Sequence, residues 1–326
     1  MSKVAHVEIA AKDEGLRLDK WFKDSYPALG FGKLQKLLRT GQIRLDGKRV
    51  KASTRLEAGQ MLRIPPLEGA RPSESPRFAF NPKHKQAISD LILYEDEMLM
   101  VLNKPSGLAV QGGSKTKTHI DGMLESFEFK GERPRLVHRL DRDTSGLLLI
   151  AKTRRAASSL GAVFRTRSAR KIYWALTTGV PRPAQGDISC FLSKQPSPMG
   201  EIVKVVGQGA SGAQHSHSYY SVIEQAGQKC AWVSLKPVTG RTHQLRVHMA
   251  ELGTPILGDP KYGALEEGQR LEGFADRLHL HARRLVIPHP DGSSLDLTAP
   301  LPAHMQESLK KLGFDAERYD KDKEDY

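Results

Sequence analysis

Arg135-Leu136-Val137-His138-Arg139-Leu140-Asp141-Arg142-Asp143-Thr144-Ser145-Gly146 runs straight into Leu147-Leu148-Leu149-Ile150. A basic, polar segment with a carboxylate at its centre thus opens into a short apolar run of the kind that fills a buried strand. Asp, Thr, Ser and Gly in succession favour a tight turn, because short polar side chains cap nearby backbone groups and Gly relieves crowding. Together the two halves predict Asp141 at the lip of a sheet, between Arg139 and Arg142. Those cations favour an ionised carboxylate, available as a nucleophile or as a charge stabiliser. A turn carrying only a surface ion pair fits the same residue types, so the choice rests on the remainder of the chain.

The 326 residues suffice for one large domain or two unequal ones, and 39% hydrophobic with 27% charged residues describes a soluble globular chain. Fifty Lys and Arg against 37 Asp and Glu leave a net charge of +13. Such an excess favours a polyanionic partner, nucleic acid before an anionic membrane surface. No apolar stretch approaches the roughly 20 residues of a membrane span. The first residues lack the apolar centre of a secretory signal, so a cytoplasmic protein with no membrane partner is expected. Cys190 and Cys230 make no disulfide framework and suit a reducing compartment.

Residues 15–64 form a small basic unit. Leu16, Leu18, Trp21 and Phe22 recur at helical spacing, Leu34, Leu37 and Leu38 repeat the pattern, and Gly30-Phe31-Gly32 separates the two helices. Gln42–Leu45 alternates as a strand, Asp46-Gly47 is a hairpin signal, Lys48-Arg49-Val50 begins the return, and Met61–Ile64 closes the unit. Lys33, Lys36, Arg39, Arg44, Lys48 and Arg49 crowd its surface. They describe either a solvated face or a surface that lies against phosphates, whose contacts position a protein without reading sequence. Five prolines between Pro65 and Pro82, with Gly69, Ser73 and Ser75, then spell an extended linker. The expected organisation is a basic domain over 1–68, a linker over 69–88, a larger domain over 89–316 and a frayed charged tail over 317–326.

Within the larger domain, Ile92–Leu102 reads as two strands around an acidic turn, and Asn103-Lys104-Pro105-Ser106-Gly107 as the loop that follows. Gly113-Ser114-Lys115-Thr116 lacks the glycine spacing and the Gly-Lys pair of a phosphate loop, so no ATP site is expected there. Ala156, Ala157, Leu160, Val163 and Phe164 share one helical face, and Arg154, Arg155, Arg165, Arg167, Arg170 and Lys171 surround it. Lys171–Leu176 is a strand with Tyr173 and Trp174 on opposite faces. His215 and His217 share a strand face but have no third ligand at suitable spacing, so no metal is expected. Val238–His248 enters a helix through Gly240 and Thr242, with Leu245, Met249 and Leu252 inward and Gly253 at its end. Its histidines are five apart with no Glu between them as a two-histidine zinc helix requires, which disfavours a zinc protease.

These stretches resemble the RluA-type pseudouridine synthases. His138-Arg139-Leu140-Asp141 with Thr144-Ser145-Gly146 resembles the catalytic motif of that family, and Arg170–Ala175 its tyrosine motif. Val238–His248 resembles its arginine motif, Leu102–Gly107 its entry strand and active-site loop, and Leu280-His281-Ala282 its late strand. Residues 17–50 are similar to an S4 RNA-binding domain. The resemblance implies an α+β fold, with a small S4-like domain and a larger, mixed but mainly antiparallel catalytic sheet. It implies that Asp141 is the catalytic residue and that Arg246 pairs with it, holding it ionised and fixing its rotamer. Tyr173 would lie under the target base as a candidate for removing the C5 proton. Leu245 would pack near the base, with Lys104, Arg139, Arg142, Arg165 and Lys171 binding substrate. No cofactor is implied, and a monomer is expected. The entry loop and central motif are worded most like the branch acting on large-subunit ribosomal RNA, which makes that RNA the expected partner. Transfer RNA, and a non-enzymatic RNA-binding protein, are the competing readings. Glycoside hydrolysis normally uses two cooperating carboxylates, whereas only Asp141 is implied here.

Overall fold

The computed structural model describes residues 4–10, 13–67, 80–112, 118–197, 201–263 and 271–321. The chain divides into two compact units, Met1–Asn81 with Glu125–Arg133, and Pro82–Leu124 with Pro134–Tyr326.

The smaller unit contains β1 (Ala5–Glu8), α1 (Leu18–Ser25), α2 (Phe31–Arg39), β2 (Arg44–Leu45) and β3 (Met61–Ile64). Its antiparallel sheet runs β1-β3-β2. The helical spacing seen in the sequence becomes one core, in which Leu18, Trp21, Phe22, Leu34 and Leu38 pack with Leu45, Leu62 and Ile64. Asp46 and Gly47 turn the chain at φ 48° and 74°, the left-handed pair that a two-residue hairpin requires. The expected return strand 48–50 shrinks to a single bridge between Leu45 and Lys48. The pairing of β2 is taken by β3 instead, with Arg44 opposite Arg63 and Leu45 opposite Leu62. Lys33, Lys36, Arg39, Arg44, Lys48 and Arg49 are all exposed.

The expected linker falls outside the described residues up to position 79, and its end is not extended. Pro82–Ser89 forms α3 and buries Ile88. Proline is compatible with a first helical turn, where its missing N–H would have no partner, and the residues after it include neither Gly nor Pro. The chain continues through β4 (Ile92–Glu95), β5 (Leu99–Lys104), α4 (Ile120–Met123), β6 (Arg135–Leu136), β7 (Ser145–Ala151), α5 (Arg154–Arg165) and β8 (Arg170–Thr178). Then follow β9 (Gln185–Gln195), β10 (Ile202–Val206), β11 (Gln214–Ala226), β12 (Cys230–Pro237), α6 (Gln244–Glu251), β13 (Leu280–Pro288), β14 (Ser294–Thr298), α7 (Ala303–Leu312) and α8 (Ala316–Lys321).

Eleven strands make one sheet in the order β10-β9-β11-β12-β8-β13-β7-β5-β4, with β14 beside β13 and β6 beside β7. Its described pairings are antiparallel except for the parallel contact of β7 with β13. The architecture is therefore α+β and mainly antiparallel, as the sequence implied. Strand β7 is buried along its whole length, and Leu147 and Leu149 pack with Ala156 and Leu160 of α5. This strand starts at Ser145, earlier than the apolar run. Gly146 lies at φ 106°, and a Cβ there would sit 2.3 Å from the Ala282 carbonyl oxygen, so its absence lets β13 close in.

The tail is ordered further than its charge suggests. Helix α8 carries Tyr319 against Trp232, with ring centroids 5.1 Å apart, and Phe314 stacks on the same indole. Residues 322–326 lie outside the described part. Both cysteines are free thiols. No helix of the described residues is long and apolar enough to cross a membrane.

Candidate active site

The loop between β6 and β7 carries Asp141, and it is fastened from two sides. His138 Nε2 accepts the Leu149 N–H at 2.9 Å, and the imidazole stacks on Phe164 of α5 at 4.5 Å. Burial lowers the His138 pKa to about 3, which keeps the ring neutral and able to accept. From the other side, the Lys104 ammonium donates to the carbonyls of Pro105, Leu108 and Arg142 at 2.8–2.9 Å. Ser106 Oγ adds a bond to the Asp143 carbonyl at 2.8 Å. The loop that follows β5 is thus a shelf under the Asp141 loop.

Four separately folded pieces converge on one cavity of about 410 Å³. Asp141 comes from the β6–β7 loop, Tyr173 from β8, and Leu245 and Arg246 from α6, while Arg165 and Lys171 flank the end of α5 and the start of β8. Arg139 also lines the wall, and its Nη1 reaches Gln111 Oε1 at 3.4 Å. Helix α6 is buried on all sides from Gln244 to Met249, so its side chains are held rather than merely directed.

Arg246 is where the geometry departs from expectation. Its Nε and Nη2 grip Asp259 at 2.7 and 2.6 Å, a two-bond pair in which the Asp259 side chain is 0% exposed. Only Nη1 approaches Asp141, at 3.9 Å. Asp259 also accepts the N–H groups of Lys261 and Tyr262. The guanidinium is therefore oriented by Asp259, and Asp141 receives its remaining corner. Burial opposes the Arg246 charge, but the Asp259 bonds and charge, helped by Asp141, raise its pKa.

Asp141 itself is pushed up from the ordinary carboxylate value by burial, against the pull of Arg246, Arg139 and the His243 N–H, which donates to it. The cations thus reduce this shift without reversing it, contrary to the expectation that they dominate. His243 caps α6 at φ 53°, ψ 17°, a left-handed conformation uncommon outside Gly. Its Nδ1 lies 2.8 Å from Tyr262 Oη, which also accepts the Val203 N–H, and the Tyr262 ring sits 5.1 Å under the Arg246 guanidinium. Burial and then the Asp141 charge raise the Tyr173 pKa, so the phenol keeps its proton.

Two residues expected to bind substrate are elsewhere. Lys104 is fully buried, and its three protons face three carbonyls, which makes it a support for the loop rather than a ligand. Burial lowers its pKa to about 7 while Asp143 and Asp141 pull it back. Arg142 is exposed outside the cavity wall and bonds Asp143 at 3.2 Å. Asp259 and Tyr262 lie outside the stretches whose residue pattern marks the site, and His243 lies inside one without a role of its own. A usable signal existed, since an arginine on a buried helix needs a full carboxylate partner and Asp259 opens the next loop. Among the described residues no group of three or more His, Cys, Asp or Glu could hold a metal.

A family model described as RNA pseudouridylate synthase matches residues 98–251. The ribosomal large subunit pseudouridine synthase C of Vibrio cholerae serotype O1 is 34% identical, over 95% of this chain and 98% of its own. The protein of the same name from Escherichia coli K12 is 37% identical, over 94% and 96%. Among solved structures, human RNA pseudouridylate synthase domain containing 4 superposes with a TM-score of 0.57 at 31% identity, covering 70% of this chain and 95% of that one.

Proposed function

The chain belongs to the RNA pseudouridylate synthase family, in its RluA branch and of the C type, and on that premise we propose that it isomerises specific uridines of large-subunit ribosomal RNA through Asp141. The observation that carries the reading is the convergence of Asp141, Tyr173, Leu245 and Arg246 on one cavity. A protein that only bound RNA would have no use for a partly buried carboxylate beside a guanidinium already committed to a second acid.

In this reaction the N1–C1′ bond breaks, the base turns, and C5 bonds to C1′. The proton lost from C5 is balanced by one gained at N1, so no electron or group donor enters. Asp141 either bonds C1′ or stabilises its positive charge. Its raised proton affinity favours both, because a more basic oxygen is the better nucleophile and the stronger counter-charge. Tyr173 and Leu245 give the detached uracil apolar faces to turn against. Since the phenol stays protonated, we assign Tyr173 a relay role, accepting the C5 proton as its own passes toward Asp141. The S4-like unit contributes Lys33, Lys36, Arg39, Arg44, Lys48 and Arg49 to phosphate contacts. Those position the RNA without selecting the uridine.

The test is tritium release from 5-tritiated transcripts of large-subunit ribosomal RNA and of transfer RNA. The wild type should release tritium from the former. Asp141→Asn should release none while binding RNA within about two-fold, since the change is isosteric. Tyr173→Phe should bind normally and release slowly. Full-rate release by Asp141→Asn would remove it from the mechanism, and release from transfer RNA alone would overturn the substrate. RNA binding with no release from any RNA would favour the non-enzymatic alternative.

A further inference from the structure

Uracil is neutral, and the positive charge that develops at C1′ is answered by Asp141. Neither accounts for the cations around the cavity. Arg165, Arg167, Lys171 and Arg241 all line it, and Asp141 is the one acid among the described residues of its wall. Lys171 stands two residues from Tyr173 on β8, so both side chains leave the same face of the strand. Burial and the neighbouring Arg167 charge hold its ammonium below the ordinary lysine value, as expected where cations gather without a counter-charge.

These cations come from two segments of the wall. At the end of α5 the chain passes through Arg167 at φ 62°, and the Ser168 N–H bonds the Val163 carbonyl at 3.0 Å. That bond closes a helix terminus whose left-handed residue is ordinarily Gly. An arginine in that position is strained by its Cβ, and its exposed side chain makes no hydrogen bond or ion pair among the described residues that would offset the strain. Arg241 belongs to the loop that leads into α6 and is held firmly. Its Nε donates to the His215 carbonyl at 3.1 Å and its backbone N–H to Gln244 Oε1 at 3.0 Å. Gln244 is buried and is itself fixed by Thr239 Oγ1, Ser218 Oγ and the His217 carbonyl at 2.6–2.9 Å. Of the Arg241 guanidinium only Nε is engaged, and the two Nη groups keep the forked N–H donors that match phosphate oxygens.

We propose that the two segments hold the phosphodiesters on either side of the reacting uridine, Arg167 with Lys171 taking one and Arg241 the other. The inference rests on the RNA-isomerase reading and extends it from the base to the backbone of the same nucleotide. A nucleotide drawn out of its strand into a cavity brings one phosphate in on each side, and these are its only full negative charges. The base needs none of the four cations, and the backbone has a use for them. Contacts of this kind carry no sequence information, so they stabilise the extruded geometry without choosing the uridine.

The experiment compares the full chain with Arg167→Gly, Arg241→Ala, Arg241→Lys and the double variant Arg167→Gly/Arg241→Ala. Arg167→Gly supplies the residue that the helix terminus prefers, so its melting temperature should not fall, and lost RNA binding then belongs to the guanidinium. Kd for a large-subunit transcript would be measured by filter binding between about 50 and 200 mM salt. Arg167→Gly and Arg241→Ala should each flatten the plot of log Kd against log salt by about 0.7–0.9, and the double variant by about twice as much. Arg241→Lys keeps the charge and should change the slope little. A short RNA spanning a uridine that releases tritium would then be made with a neutral methylphosphonate on its 5′ or its 3′ side. Each neutral linkage should raise the wild-type KM about ten-fold, while Arg241→Ala should be indifferent to one of them and Arg167→Gly to the other. Variants that keep the wild-type slope, or that respond to both linkages as the wild type does, would overturn the proposal and leave the isomerase reading intact. A double variant no flatter than either single one would overturn the division into two phosphates. Flattened slopes in a chain that releases tritium from no RNA would support the phosphate contacts and defeat the isomerase reading.

Discussion

Arg246 stands between two carboxylates and serves them unequally, with two bonds of 2.6–2.7 Å to Asp259 and one approach of 3.9 Å to Asp141. Asp141 thus keeps the high proton affinity that burial gives it. In the proposed mechanism Asp141 acts in its ionised form, so activity is lost as pH falls through this raised pKa. The acid limb of kcat/KM should therefore lie above the ordinary carboxylate value of 3.8, and a limb at or below that value would contradict the assignment. Asp259→Asn should release the guanidinium to pair fully with Asp141, lowering that pKa and shifting the limb to more acidic pH while kcat falls. Breaking the buried pair should also cost about 3–5 kcal/mol in urea unfolding. An Asp259→Asn protein with an unmoved limb would show that Asp259 only supports the fold. Asp141, Tyr173, Leu245 and Arg246 were legible because each lies inside a dense motif on its own stretch of chain. Asp259 was not, because its meaning comes from a contact between a loop and a helix.

At the level of the element, the Asp141 loop is held by what surrounds it. The His138 ring, the Lys104 ammonium and the strand beginning at Ser145 fix it from separate directions. Gly146 is the most exacting of these positions, since its φ of 106° and the nearby Ala282 backbone both exclude a side chain. Gly146→Ala should destabilise the protein by at least about 2 kcal/mol and reduce tritium release by displacing the loop. A variant with wild-type melting temperature and turnover would refute that view. The strand itself was readable from Leu147–Ile150. Its first two residues were not, because Ser and Gly carry a turn signal locally and only the approach of β13 recruits them. The same limit applies to α3, where local proline content masked a helix start.

Across the whole molecule, burial withholds protons from histidines. It lowers His138, His243 and His281 to about 3, and His248 and His279 to about 4. The unfolded chain titrates near 6.5, so below that pH it takes up protons that the folded chain refuses. Stability is complete above about pH 6.5 and declines as pH falls toward 4, by up to roughly 1.4 kcal/mol per pH unit for each histidine. Urea unfolding at pH 7.5 and 5 should show a large loss, and equal midpoints would exclude the effect. The mainly antiparallel α+β class was legible through family resemblance. The strand order was not, because no local pattern says that β13 inserts between β7 and β8. That insertion sets a timetable. During synthesis β4, β5 and β7 can pair as they emerge, and β8, β9, β11 and β12 can do the same, but the two groups share no neighbour until residues 280–288 exist. A growing chain therefore carries Asp141 and Tyr173 for more than a hundred residues of elongation as members of separate sheets, and its chemistry waits for one of the last strands to be made.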